Sequence, residues 1–331
     1  MRTLAPFFIF PAIALLGLGC DESFSPKEEF HTQYVLQSFV EATGVQGYPV
    51  TVTALLANTY DVIGVNPATN ANDPAIAGAE VTVTINQKSY HLIGAQRANP
   101  DTTRYHIKEW IYTNTIPSIP PDAAVSVIAK LPNGRTLSAQ TTVPGFRNFV
   151  SNYEFPTGLT SAFSRRPGEP NWVIDWDDGN DIEVHLFVPR LTITYSKGVG
   201  ADEVTGTVEV PSQYILASGG KIPVYPSPSS QEHCSFEFYA LDSAMAQISA
   251  GDTNKSNYAV YKARLEVIEY DLPLSKYFSS INGSLDQYSI RTDASVYSNV
   301  DGGIGILGSY RISWVDYILD ERYVHHFGYR I

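Results

Sequence analysis

Alternation of apolar and polar residues marks the first half of the chain. Residues 34–40, 48–55, 78–85, 89–93, 103–107, 125–131 and 136–143 each resemble a short strand, several with the two-residue period of a half-buried one. Pro132, Asn133 and Gly134 separate the last two segments and predict a hairpin turn. This spacing of strands and turns predicts an immunoglobulin-like or transthyretin-like β-sandwich over residues 30–145.

Strand patterns resume at residue 171, after a Pro-rich polar stretch that predicts a linker over residues 146–170. One short helix is predicted to be capped by Asp242 and ended by Gly251, and another to cover residues 274–281. Residues 219–228 are predicted to be a loop. Predicted strands cover residues 171–176, 182–188, 191–195, 204–210, 235–241, 288–290, 303–315 and 322–331. Residues 171–331 are thus predicted to form a second β-rich sandwich or barrel-like domain with one or two short helices.

Composition agrees with a mainly β protein that has a sizeable core. Of 331 residues, 44% are hydrophobic, and 21 Tyr, 21 Pro and 24 Gly contrast with 2 Met. The net charge is −12, from 22 Lys and Arg against 34 Asp and Glu, and no basic stripe interrupts the acidity. This balance argues against nucleic acid as a partner, because phosphate binding needs clustered positive charge.

The first 19 residues predict an export signal. Arg2 precedes an apolar run over residues 4–18, which is shorter than the roughly 20 residues of a spanning helix. Small residues lead to Cys20, so the segment resembles a bacterial lipoprotein signal. In that class the cysteine is lipidated, which would anchor the mature chain to a membrane through Cys20 and an acidic tether over residues 20–29. An ordinary signal peptide cut nearby is the alternative.

The densest group of candidate metal ligands follows residue 174. Carboxylates at alternating positions can surround Ca²⁺, and five acids lie within nine residues: Asp175, Asp177, Asp178, Asp181 and Glu183. The EF-hand register fails, because Gly179 stands where an acid or amide belongs. The alternative is a turn with solvated acids between two strands.

Other segments match known sequence motifs but lack the structural context that those motifs require. Residues 303–308 spell G-x-G-x-x-G, but a strand pattern follows where dinucleotide binding needs a helix. We expect these glycines to allow close packing in a sheet. His325 and His326 are adjacent on a predicted strand, so they should point to opposite faces. Cys234 is expected to be buried and unreactive, because no nucleophile motif surrounds it.

No catalytic residue, nucleotide site or cofactor is therefore assigned. A Ser-His-Asp triad stays open, because such triads are defined by geometry and not by spacing.

Four segments resemble the exported lipoproteins of domain-of-unknown-function family 4249, a Bacteroidota-type family. They are Cys20 with its acidic tether and first strand, the Gly78–Val83 strand, the hairpin around Asn133, and residues 298–308, Ser-Asn-Val-Asp-Gly-Gly-Ile-Gly-Ile-Leu-Gly. The resemblance implies an outer-membrane or cell-surface β-protein, often associated with TonB-dependent receptors. It implies no catalytic residues.

These observations predict a non-enzymatic binding or accessory protein, held at the outer membrane by lipid and facing the surface or the periplasm. Two alternatives stay open: a structural or adhesive envelope component, and a hydrolase of exported glycans or peptides.

Overall fold

Strands account for most of the described residues. A computed structural model describes residues 31–42, 49–59, 74–98, 108–145, 148–150, 161–163, 170–177, 185–282 and 297–331. Its strands in the first half are β1 (Tyr34–Ala42), β2 (Val50–Asn58), β3 (Glu80–Ile85), β4 (Lys88–Ala98), β5 (Lys108–Ile116), β6 (Ala124–Lys130), β7 (Thr136–Thr142), β8 (Asn148–Val150) and β9 (Ser161–Phe163).

The second half adds nine strands and three helices among the described residues. The strands are β10 (Asn171–Asp177), β11 (Phe187–Lys197), β12 (Val204–Val210), β13 (Gln213–Ala217), β14 (Gly220–Val224), β15 (His233–Glu237), β16 (Tyr258–Tyr270), β17 (Val300–Asp301) and β18 (Ile304–Leu319). The helices are α1 (Phe238–Ile248), α2 (Leu272–Asn282) and α3 (Glu321–His326). The predicted mainly β fold with a few short helices is confirmed.

The first core lies inside a β-sandwich. Strands β1, β2 and β5 face strands β3, β6 and β7, and their inward residues form one buried cluster. β4 belongs to both faces: residues up to Leu92 pair with β3, whereas residues from Ile93 onward pair with β5. Burial on alternate positions, as in β3 with Val81 and Val83 inside, matches the alternation in the sequence.

The second core lies between one end of the large sheet and a smaller sheet. Strands β11, β16 and β18 supply Leu191, Leu265 and Tyr317, and the three-stranded sheet β15-β10-β8 supplies Trp172 and Phe236. The rings of Trp172 and Tyr317 meet edge to face, with their centroids 4.8 Å apart. Helices α1 and α3 close this core with Met245 and Val324.

Strand β18 passes through both halves. Residues Ile304 to Arg311 pair in parallel with β1, and residues Tyr310 to Tyr317 pair antiparallel with β16. The large sheet therefore runs without a break as β12-β11-β16-β18-β1-β2-β5-β4-β3-β6-β7-β17. Gln33–Ile331 form one compact unit, although each hydrophobic core is separate. The predicted division at residues 146–170 stays a prediction, because most of that stretch lies outside the described residues.

Several local predictions were wrong. Residues 235–241 were predicted as a strand, but β15 ends at Glu237 and α1 begins at Phe238, so Asp242 lies within the helix and accepts a hydrogen bond from Tyr323. The predicted loop over 219–228 contains β14. The predicted strand over 322–331 begins instead with α3, because the Asp320 carboxylate accepts the backbone N–H groups of Arg322 and Tyr323 and caps a helix. Among the described residues, every helix is too short or too polar to cross a bilayer.

Candidate functional site

An open cleft lies where the first core meets the second. Its volume is about 310 Å³, near the lower end of the range for small-molecule sites. Four parts of the chain line it: the end of β7 with the loop after it, the loop before β6, the start of α2, and the segment just before β11. The lining residues are Asp122, Thr141, Thr142, Val143, Pro144, Gly145, His185, Leu272 and Pro273. We call this the junction cleft.

His185 is the imidazole of the junction cleft. Its Nδ1 lies 3.0 Å from Oε1 of Glu269 on β16, and the glutamate side chain is only 2% exposed. A buried carboxylate on one ring nitrogen fixes the orientation of an imidazole, which is the arrangement of many histidines that bind ligands or accept protons. Glu269 therefore holds the His185 ring in one orientation at the wall of the junction cleft.

A buried carboxylate lies directly behind the cleft wall. Asp271 follows β16 and is 1% exposed. It accepts hydrogen bonds from Thr141 Oγ1, from the Ser309 backbone N–H, from Ser309 Oγ at 2.7 Å and from the Leu274 backbone N–H at 2.8 Å. Burial raises the pKa of Asp271 above its ordinary value, although these four donors oppose the rise. Asp271 thus ties β7, β18 and the start of α2 together.

Charged side chains are concentrated where the two cores meet. Glu269 is buried near the end of β16, Asp271 is buried directly after it, and Arg311 lies opposite Glu269 on β18 with only 1% exposure. Burying charges is costly unless partners compensate, so groups of this kind are more frequent at functional sites than in ordinary cores. The junction is therefore polar, while both flanking cores are apolar.

Thr141 in the cleft wall, and Ser275 and Ser309, which bond to residues beside the cleft, use their hydroxyl groups in structural bonds. Thr141 donates to Asp271, and Ser275 Oγ accepts the backbone N–H of Leu186 at 2.9 Å while donating to the Tyr270 carbonyl. Ser309 Oγ lies within reach of both Asp271 and the Thr142 carbonyl. A hydroxyl that attacks a substrate must give its proton to a base. The protons of these hydroxyls are instead donated to acceptors with a structural role. Thr141, Ser275 and Ser309 are therefore poorly placed to act as nucleophiles.

The glycine-rich segment 303–308 has a structural role, as the sequence indicates. A Cβ at Gly305 would overlap the Leu36 carbonyl oxygen, and Gly305 has a φ of +128°, which favours glycine. A Cβ at Gly303 would overlap the Tyr34 carbonyl oxygen. Asn299 fastens the same segment, because its side chain exchanges hydrogen bonds of 2.9 Å with the backbone of Leu307. These glycines let β18 lie beside β1.

The calcium prediction falls mainly outside the described residues. Asp175 lies in β10, opposite His233 of β15, and Asp177 is the last residue of β10. Asp178, Asp181 and Glu183 lie outside the described residues. Within the residues that the structure does describe, no three His, Cys, Asp or Glu side chains gather as metal ligands. Calcium binding by this segment stays a prediction.

The remaining candidates are placed as follows. His325 and His326 occupy the last turn of α3, not the strand that we predicted, and His325 lies 3.9 Å from Glu321 on the exposed surface. Cys234 is buried, as expected, and burial together with the nearby charge of Asp175 raises its thiol pKa, which suppresses the reactive thiolate. The lipidation candidate Cys20 lies outside the described residues.

Sequence reasoning missed His185 and Glu269. They are 84 residues apart, and each stands alone in the sequence with no motif around it. The one signal is that Glu269 occupies a position where the alternation of β16 predicts an apolar residue, and that Asp271 continues the same phase just after the strand. An acid on the inward phase of a strand indicates a buried carboxylate, which needs a partner from elsewhere in the chain.

Comparison with protein-family models and with curated protein sequences finds no match. The resemblance to domain-of-unknown-function family 4249 therefore stays a prediction.

Proposed function

We propose that this chain is an exported, lipid-anchored protein that binds a small polar ligand in the junction cleft without chemical turnover. The observation that carries the proposal is the His185 imidazole, oriented by buried Glu269 at the wall of an open cavity. The anchor is inferred from the signal-like segment ending at Cys20. The family resemblance further implies a TonB-dependent outer-membrane receptor as a partner of such a protein.

The ligand class follows from the lining. Asp122 offers a carboxylate and His185 an imidazole oriented by Glu269, while Val143, Pro144 and Pro273 offer apolar contacts. A neutral or cationic molecule with several hydroxyl or amino donors fits this chemistry better than an anion, because an anion would face the Asp122 carboxylate. Sugars and small amines are the two sources of such donors.

A cleft-blocking variant tests the proposal. Thr142 is exposed at the cleft, and Thr136 is exposed on the same side of β7, so Thr142→Arg and Thr136→Arg form a matched pair. Full-length protein is purified from its native envelope, and its bound small molecules are identified by mass spectrometry. We expect a polar ligand with wild type and with Thr136→Arg, and its loss with Thr142→Arg. Equal recovery from all three proteins would contradict ligand binding in the cleft.

The same purification tests the anchor and the partner. A Cys20→Ala form cannot be lipidated, so it should leave the membrane fraction and lose any receptor that copurifies with the wild type. A membrane fraction that retains the Cys20→Ala form as well as the wild type would contradict lipid anchoring.

A hydrolase is the second candidate, because a carboxylate-oriented imidazole is also the base of many hydrolases. Incubating the recovered ligand with the protein distinguishes the two. Conversion by wild type that is lost in His185→Gln, with binding retained, would favour the hydrolase.

A further inference from the structure

The hairpin of β13 and β14 forms a separate two-stranded sheet, outside the large sheet. Its base is supported by α1: the rings of Tyr214 and Tyr239 meet edge to face at 5.8 Å, and Gln247 donates to the Tyr214 hydroxyl at 3.4 Å. Two-stranded hairpins are marginally stable alone in water. This hairpin therefore projects from the protein on a narrow support.

Large apolar side chains on the hairpin are exposed. Leu216, next to the turn, is 84% exposed, and Ile215 and Ile222, which lie directly opposite one another, are 47% and 49% exposed. Behind them, Tyr225 and Tyr239 are each about half exposed. Ile215 and Ile222 lie on one face of the hairpin and Leu216 on the other, so apolar side chains are exposed on both faces of a projecting element, which is typical of an interaction site.

The hairpin is also nearly free of charge in an acidic chain. Residues 210–231 contain no Asp or Glu, although the chain has 34 of them, and their one charged side chain is Lys221. The Lys221 ammonium lies 3.9 Å from the Tyr239 ring centroid and donates to its hydroxyl. An anionic lipid surface repels carboxylates, and the hairpin has none.

The order of side chains matches the depth profile of a bilayer interface. Leu216 and Lys221 lie opposite one another beside the turn, the Ile215–Ile222 pair follows, and Tyr214 lies further back. The Lys221 side chain extends back from the turn, so its ammonium lies beside the Tyr239 ring. Apolar side chains favour the acyl boundary, whereas Tyr and Lys favour the headgroup layer. Five residues per strand span roughly 16 Å, enough for a tip that enters the interface by about 5–10 Å.

We propose that the β13–β14 hairpin inserts its Leu216 tip into the interfacial layer of a lipid membrane. The inference rests on the proposed membrane attachment and adds a second contact to it. The lipid on Cys20 and the apolar hairpin would contact the membrane at two separate points of the protein. Two points of contact bind the membrane more tightly than either one alone, and they fix the orientation of the protein on its surface.

The test reads lipid contact at the hairpin itself in the full chain. Leu216→Cys is introduced into the full chain with Cys20 unchanged, labelled with nitrobenzoxadiazole under native conditions, and reconstituted in vesicles of phosphatidylethanolamine and phosphatidylglycerol. Cys234 is buried, a lipidated Cys20 has no free thiol, and the protein without the new cysteine sets the background. Val199→Cys, in the turn between β11 and β12 and 70% exposed, is the matched control. We expect blue-shifted emission and quenching by doxyl lipids at position 216 and neither at position 199.

Vesicle flotation in the same samples separates the two proposals. Floating protein whose label at 216 is neither shifted nor quenched would overturn the hairpin contact and leave the anchor intact. A shift without lipid quenching that grows with protein concentration would assign the hairpin to a second copy of the chain, which also overturns it. Protein that does not float overturns both. Hydrogen exchange of unlabelled wild type gives a check free of substitutions: amides of residues 213–224 should gain protection on vesicles.

Discussion

At the scale of single residues, Asp271 shows how one buried carboxylate can organise a junction. Its oxygens accept from β7, from β18 and from the first turn of α2, so removing it would leave several buried donors without an acceptor. Each such donor costs about 1–3 kcal/mol when unsatisfied. Neither the spacing nor the neighbours of Asp271 in the sequence reveal this role, because Thr141 and Ser309 come from distant segments.

The raised pKa of Asp271 gives the protein a pH-dependent stability. Because the folded state holds this proton more tightly than the unfolded chain, the free energy of unfolding should fall as pH rises from about 3.9, the ordinary Asp value, through the higher folded pKa. Asp271→Asn should lose that slope, and it should be about 1–3 kcal/mol less stable because an amide cannot accept every bond. Urea unfolding across this pH range measures both effects.

Asp301→Asn is the control, because Asp301 is an exposed carboxylate at the end of β17. The free energy of unfolding of Asp301→Asn should depend on pH as that of wild type does. A wild-type slope retained in Asp271→Asn would assign the pH dependence to another group.

At the scale of elements, the two-residue period was sufficient to predict where strands lie but not which strands pair with one another. The alternation predicted β1, β3, β6 and β7 within about two residues, because one face of each strand lies in the first core. It misassigned the start of α1, where Phe238, Ala240 and Leu241 are all buried and an apolar run suits a strand or a helix equally. Pairing of β1 with β18 has no local signature, since it depends on chain that lies far away.

Gly305 allows β18 to pair with β1. Gly305→Ala should place a Cβ against the Leu36 carbonyl in a backbone conformation that only glycine tolerates, so we expect a loss of about 3 kcal/mol or more, or failure to fold. Gly219→Ala, in the turn between β13 and β14 with open space around it, should change stability by less than about 0.5 kcal/mol. Chemical denaturation of both variants checks this, and equal midpoints would show that β18 can shift away from β1.

At the scale of the whole molecule, two apolar cores share one strand. The predicted two-domain organisation stays a prediction, and the sharing of β18 could not be predicted, because Val300 and Leu307 belong to the first core while Tyr317 belongs to the second. The candidate site lay beyond sequence reasoning for the same reason. It forms only where residues near 142, 185, 270 and 310 converge.

Sharing a strand predicts that both cores unfold together. Val83→Ala leaves a small cavity in the first core and should cost about 2 kcal/mol. In a Trp110→Phe background the remaining tryptophans lie at residue 172 or beyond, so their fluorescence reports the second half. We expect Val83→Ala to shift the fluorescence transition as far as it shifts the circular-dichroism transition. A fluorescence midpoint that does not move would show that the halves unfold independently.

The partnership of β1 with β18 also constrains how the chain is made. Glu41 and Tyr310 lie side by side although 269 residues separate them, so contact order is high and loop closure is slow. A nascent chain leaves the ribosome amino end first, and β1 can pair with β2 long before its other edge has a neighbour. That edge stays open until residue 311 has been synthesised. A chaperone that shields extended segments should therefore be needed for most of the synthesis time, and chains that terminate near residue 300 should aggregate rather than fold.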